Sequence, residues 1–244
     1  MTPRLIAALY VASAFADPPS VREIAKRAAA RETESAKARD NFTYRQSLTI
    51  EEMDTRGARA GEYSEVRDVL FDPKHERTEK FIGKPKDMLK RLKLTPEDFR
   101  DVRDIQNFLF TADVLRLYQL KDRGEERIEE GDCYVIDVSP KQLLDGQRLF
   151  EGTLWIAKDD FSILRSFGRA VPQIFDTKTE NLFPQFTTYR AKMPNGFWFP
   201  VRTFGDDVLP FRNGPIRQRM TIKYTNYQEF KAESNVKFEP KQPD

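Results

Sequence analysis

A single histidine and a single cysteine set narrow limits on the chemistry open to this 244-residue chain. His75 sits within Asp72-Pro73-Lys74-His75-Glu76-Arg77, a charged, turn-like stretch that is a poor place to hold a general base. A Ser-His-Asp or Cys-His catalyst would have to recruit it, and no G-x-S-x-G, H-x-x-x-H or H-E-x-x-H spacing occurs. Zinc fails within one chain for the same reason, because a tetrahedral site draws on several His or Cys ligands. Carboxylates are plentiful, with doublets at Asp159-Asp160 and Asp206-Asp207. Two acids facing across a cleft would suffice for a glycosidase, but both doublets fall in turn-like contexts where solvated carboxylates are the default. No Gly-rich phosphate loop is present. Cys133 lies in the apolar run Cys133-Tyr134-Val135-Ile136 and reads as a buried, inert thiol, and alone it excludes an intramolecular disulfide. The sequence therefore predicts a non-enzymatic protein with no metal and no cofactor.

What the chain has in quantity is large apolar side chain. Aliphatic and aromatic residues make up 39%, with 19 Phe and 8 Tyr against 11 Gly, a composition of folded sheet and not of disorder. Lys and Arg number 41 against 39 Asp and Glu, interspersed, so no basic block suggests a nucleic-acid partner.

The N-terminus reads as an address. Met1-Thr2-Pro3-Arg4, the apolar run from Leu5 to Ala12, and Ala14-Phe15-Ala16 before Asp17-Pro18-Pro19 follow the order of a secretory signal peptide cleaved after Ala16. The expectation is an exported, periplasmic protein whose residues 17–244 form one domain. The apolar run is too short to cross a bilayer core of ~30 Å at 1.5 Å per residue. No later run is longer, so no stable membrane insertion of the mature form is expected. No Cys follows the cleavage site, so the mature product is not itself a lipoprotein of the usual bacterial kind.

Behind this, Ser20-Val21-Arg22-Glu23 has the form of a capping box, and Val21, Ile24, Ala25 and Ala28 share a helical face with Arg22, Lys26, Arg27 and Glu32 placed elsewhere. A helix over 20–40 follows. From Phe42 the period switches to two: Phe42, Tyr44, Leu48 and Ile50 share one face. Further strands are predicted near 63–71, 75–82, 115–121, 133–138 and 216–224. Asn195-Gly196 marks a hairpin joining strands 186–193 and 197–204, because both residue types tolerate positive φ. Strands 152–157 and 161–168 form another, turning at Lys158-Asp159-Asp160. Residues 86–110 read as a helical insertion, with Thr95 as cap, Pro96 at the first position and an apolar stripe of Phe99, Val102, Ile105 and Phe108. A short helix is expected through Gln142-Leu143-Leu144. The fold class is α+β: a single curved antiparallel sheet, an incomplete and unclosed barrel, packed on the N-terminal helix and the central insertion. Leu149-Phe150, Leu154-Trp155-Ile156, Leu182-Phe183 and Phe197-Trp198-Phe199 place bulky groups on both faces of their strands. Either helices cover one face and loops the other, or an apolar pocket lies between sheet and helices.

The run Cys133 to Lys141, followed by Phe150-Glu151-Gly152-Thr153-Leu154-Trp155-Ile156-Ala157-Lys158-Asp159-Asp160 and the late Tyr224 to Phe230, resembles the outer-membrane lipoprotein-sorting proteins of the LolA-like superfamily. The resemblance implies a half-barrel wrapped on helices, with a hollow that receives the acyl chains of a lipid or lipoprotein. On that reading the hollow is lined by Tyr44, Leu48, Phe150, Leu154, Ile156, Met220 and Ile222, with Phe99 and Val102 on a movable cover. The partners are acyl chains and, beyond them, envelope membrane proteins. Two other readings remain: a non-enzymatic module that holds an envelope protein or glycan, and a carboxylate-dependent hydrolase.

Overall fold

A computed structural model of the chain describes residues 18–72, 74, 76–105, 108–175 and 180–230. The predicted signal peptide over 1–16 and the histidine at 75 lie outside the described residues.

Helix α1 (Val21–Arg39) begins where the sequence places it, with the Ser20 hydroxyl accepting from the Glu23 backbone N–H at 3.3 Å. The capping box is half used: the Glu23 carboxylate accepts from Arg27 one turn on and makes no return to the cap. Ile24, Ala25, Ala28 and Ala29 are buried, and the small side chains let the helix approach the sheet closely. Glu32 corrects the sequence reading. It follows Ala28 by four residues, so it shares the buried face and is itself buried.

The chain then lays down β1 (Phe42–Met53), β2 (Arg59–Phe71), β3 (Arg77–Phe81) and the short β4 (Lys86–Asp87). After helix α2 (Pro96–Asp104) come β5 (Tyr118–Ile128), β6 (Gly131–Pro140), β7 (Leu149–Ala157) and β8 (Ile163–Val171). Strands β9 (Ile174–Phe175) and β10 (Glu180–Asn181) pair with each other alone. Strands β11 (Phe186–Lys192), β12 (Trp198–Leu209) and β13 (Ile216–Glu229) finish the main sheet. Its order is β3-β2-β1-β13-β12-β11-β8-β7-β6-β5, with β4 added on β2, and every pairing is antiparallel. The sheet does not close, since β3 and β5 end it at opposite sides. The exposed charges of β5 (Lys121, Asp122, Arg123, Glu125, Glu126 and Arg127) protect that edge from further pairing.

Period two governs β1 throughout: Phe42, Tyr44, Gln46, Leu48, Ile50 and Glu52 are buried and the residues between them half-buried. Register brings Leu48 opposite Ile222 and Ile50 opposite Met220. Both helices cover the same face, since Ile24, Ala28 and Val102 belong to one apolar core with Leu48, Leu154 and Met220. The α+β expectation of an unclosed antiparallel sheet on two helices holds.

Several local expectations do not. Of the described residues in 86–110, nine are helical; Lys86-Asp87 extend the sheet and 88–94 are irregular. The reason is competition for backbone N–H groups: the Glu52 carboxylate accepts from Lys90, Arg91 and Leu92, which fixes them outside a helical ladder. Residues 142–144 are also irregular, because the Lys141 N–H bonds to Leu117 O and prolongs the β5–β6 ladder instead of opening a helix. Leu115–Leu117 form a 3-10 turn before β5. At the 193–197 hairpin only Gly196 has positive φ; the Gly196 N–H bonds to Met193 O, and the Asn195 side chain accepts from the Phe197 N–H. This is a type I turn with a bulge, which Pro194 at its second position favours over the two-residue turn.

Candidate functional site

The nine residues that the sequence assigns to an apolar hollow do come together. Tyr44, Leu48, Leu154, Ile156, Met220, Ile222, Phe150 and Val102 are buried in one core, and Phe99 is half-buried against it. Two of them also face clefts that flank α2. One cleft, of about 460 Å³, has Phe150 in its wall together with Phe71, Ile105, Phe108 and Val114. The other, of about 550 Å³, lies between Phe99 and the β2–β3 edge at Tyr63 and Phe81. Both volumes fall within the ~300–1,000 Å³ of small-molecule sites.

Phe150 is the pivot of the first cleft. Its ring overlies the glycine pair Gly152 and Gly168, which face each other across β7 and β8. A Cβ on either glycine would come within 2.6 Å of the ring, so the glycine of the Gly152-Thr153-Leu154-Trp155-Ile156 run is required by this close approach. On the ring's far side Phe108 stacks at 4.5 Å and 15°. Phe186 and Tyr118 complete the aromatic group, and the Tyr118 hydroxyl accepts from the Phe150 N–H. Burial pushes the Tyr118 phenol up to about 12, so it stays neutral. The Tyr44 hydroxyl is buried with no hydrogen-bond partner among the described residues.

Polar contacts hold the described parts of the 86–110 segment over this interior. The buried Glu52 carboxylate grips 90–92, and Gly61 permits this, because a Cβ there would meet the Glu52 Oε2 at 2.7 Å and Met88 O at 2.9 Å. Asp98 caps α2, accepting from the Thr95 N–H at 2.6 Å, and also accepts from the Asn181 amide at 2.7 Å. Arg148 joins that amide's oxygen to Asp101 on the next turn. Burial, partly opposed by the Thr95 bonds, pushes the Asp98 carboxyl up to about 7. The third hold is Arg190 on β11, which pairs with Glu32 of α1 at 2.7 Å and donates to Phe108 O at 3.0 Å, all inside the protein.

Sequence reasoning missed these polar groups. Glu32 was detectable from its four-residue spacing after Ala28, and Glu52 from its parity with Leu48 and Ile50 on β1. Arg148, Asn181 and Arg190 carry no local signal, since their partners lie at least 33 residues away.

The residues first considered for catalysis are otherwise engaged. Asp206 pairs with Arg217 and Arg219, which hold its carboxyl below the usual range. Asp159 and Asp160 accept from turn N–H groups at Asp160 and Ser162. Cys133 is buried with Ala157 and Leu164 in a small second cluster, and burial pushes its thiol up to about 11. No group of His, Cys, Asp and Glu among the described residues could hold a metal ion, and no described helix is long and apolar enough to cross a membrane.

Fold and site together define an open antiparallel half-barrel with an apolar interior, flanked by clefts and covered by a short latched helix. No family model matches the chain, and no curated protein sequence matches it. In structure it is similar to a DUF1329 family protein from Desulfovibrio piger, at 14% identity and TM-score 0.46, over 89% of this chain and 95% of that one. It is also similar to a LolA superfamily protein from Nitrosomonas europaea, at 12% identity and TM-score 0.34, over 85% and 97%. A domain from Vibrio parahaemolyticus described as an outer membrane lipoprotein-sorting protein aligns at 10% identity and TM-score 0.35, over 84% and 92%.

Proposed function

We propose that this chain shelters the acyl chains of a lipid or lipoprotein in the periplasm, exported as residues 17–244 after cleavage at Ala16. The observation that carries the reading is the cleft of about 460 Å³ with Phe150 in its wall, which lies beside a segment held through polar contacts. Each CH₂ removed from water there contributes ~0.8 kcal/mol, so even a short chain binds usefully. Helix α2 acts as the cover: apolar chain enters against Phe108 and Phe150 and displaces neighbouring side chains deeper toward Leu154 and Met220. The motif resemblance around Gly152 to Asp160 points the same way, and no bond is made or broken in the process.

The test is native mass spectrometry of the exported protein, gently purified, with organic extraction of what comes with it. An acylated species near one per protein is expected. Val114→Trp, which fills the cleft without entering the sheet, lowers that occupancy severalfold. A clean apo mass that also refuses added lipids and acylated peptides would overturn the reading. It would favour a module that holds an envelope protein, for which the exposed Phe81 and Ile82 beside the β3 edge offer one apolar surface.

A further inference from the structure

Four arginines from separate parts of the chain line the same cleft of about 460 Å³: Arg39 at the end of α1, Arg77 at the start of β3, Arg103 in the last turn of α2, and Arg148 just before β7. Asp40 and Asp104 share the wall. Asp104 is engaged by Arg103 in a two-pronged contact at 2.8 and 2.9 Å. Arg77 reaches Glu79 at 2.7 Å and the Gln46 side chain at 3.2 Å, while Arg148 serves Asp101 and Asn181. These partners do not exhaust the donors. Among the described residues, the Arg77 Nε and the Arg148 Nη1 are both buried and have no hydrogen-bond partner.

A guanidinium presents five N–H groups in a rigid fork, and a buried N–H without an acceptor is unfavourable. The guanidinium groups that line the cleft come from separate segments, so an acceptor brought into it meets N–H donors from more than one of them before any apolar contact is counted. Carboxylate and phosphate oxygens match the fork, since they accept two parallel N–H bonds at once. The apolar wall at Phe71, Ile105, Phe108 and Phe150 adjoins these donors. A bare anion would leave that wall wet, and a neutral chain would leave the donors unmet.

We infer that this cleft takes a single-chain amphiphile with an anionic oxygen head, its head on Arg77 and Arg148 and its chain along Phe108 and Phe150. The inference rests on the acyl-chain reading above and names the ligand class that reading leaves open.

Calorimetric titration of the purified full chain with three probes tests it: 1-oleoyl lysophosphatidic acid, 1-oleoylglycerol and glycerol 3-phosphate, the lipids kept below their micellar concentrations. The phosphate lipid is expected to bind at least about tenfold tighter than 1-oleoylglycerol, the size of one or two charge-assisted hydrogen bonds. Arg77→Gln should narrow that ratio, and Arg77→Lys, which keeps the charge but loses the fork, should narrow it less. Equal affinity of the two lipids for the unaltered protein overturns the anionic head while leaving the acyl-chain reading intact. Glycerol 3-phosphate binding as tightly as the phosphate lipid overturns it in favour of a free-anion site. Refusal of both lipids overturns this inference and the acyl-chain reading together.

Discussion

Helices α1 and α2 cover the same face of the sheet and are held there by different chemistry. Over its 19 residues, a length that can sustain a helix, α1 buries Ile24, Ala25, Ala28 and Ala29 in its first half and Glu32, Ser35 and Arg39 in its second, so close apolar packing anchors one half and polar contacts the other. α2 has nine residues, fewer than the ~12–15 at which an isolated helix becomes even marginal in water. Its buried groups are Val102 and two carboxylates, Asp98 and Asp101, and a cleft lies on either side of it. Apolar packing weakens gradually as a helix lifts away. A few directional polar contacts release together. An interior built to admit something is expected to be fixed at one end and latched at the other, and the two helices divide those roles.

Breaking the contact that ties α1 to Phe108, in the segment beyond α2, should have the largest effect. Arg190→Ala leaves the buried Glu32 carboxylate unpaired and frees Phe108 O, and a loss of ~3–5 kcal/mol is expected in urea unfolding. A loss below ~1 kcal/mol would mean that Glu32 finds water or another partner, and that the interior is wetter than its packing indicates. Replacing Arg190 and Glu32 together with Leu should recover much of the stability, while still loosening the segment at Phe108.

Ala28→Leu probes the packed end. With Ala28 fully buried, the added volume must displace the helix or the strands under it, at a cost of ~1–3 kcal/mol. The same measurement showing no change would remove the claim that α1 is the tightly fitted side.

Protonation of Asp98 makes the latched end sensitive to pH. The folded carboxyl of Asp98 titrates at about 7, above the ~3.9 of an unfolded chain, because burial disfavours its charge. The folded state therefore holds this proton more tightly. The contribution to stability is fully present below pH ~4 and declines as pH rises toward 7, with a limiting slope of ~1.4 kcal/mol per pH unit. Asp98→Asn should flatten the stability profile between those limits. Denaturant midpoints measured at pH 5 and pH 7.5 compare the two proteins directly. An unaltered slope in the variant would show that the latch does not titrate through Asp98.

The main strands and the helix starts were legible because they depend on neighbours in sequence. Side chains alternate with period two along β1 and β13, and Ser20, Thr95 and Pro96 act within one turn of where they stand. Such rules need no knowledge of the rest of the chain. The 86–110 insertion was misread as continuous helix because its apolar spacing is helical while its backbone partners are distant. Glu52, about 40 residues earlier, takes the N–H groups of 90–92.

The candidate site divides the same way. Its apolar residues follow from strand parity, and the sequence alone determined that Tyr44, Leu48, Leu154, Met220 and Ile222 would face inward together. Only the tertiary structure decided which of the inward residues stand at a cleft, and which charges go inside with them. Phe150 reaches the cleft because two glycines on adjacent strands leave room for its ring. Arg77, Arg103 and Arg148 meet there because sheet order and the placement of α2 bring distant segments to one end. Burial of a charge is settled by whether a partner arrives across the fold, and no local pattern in the sequence encodes that arrival.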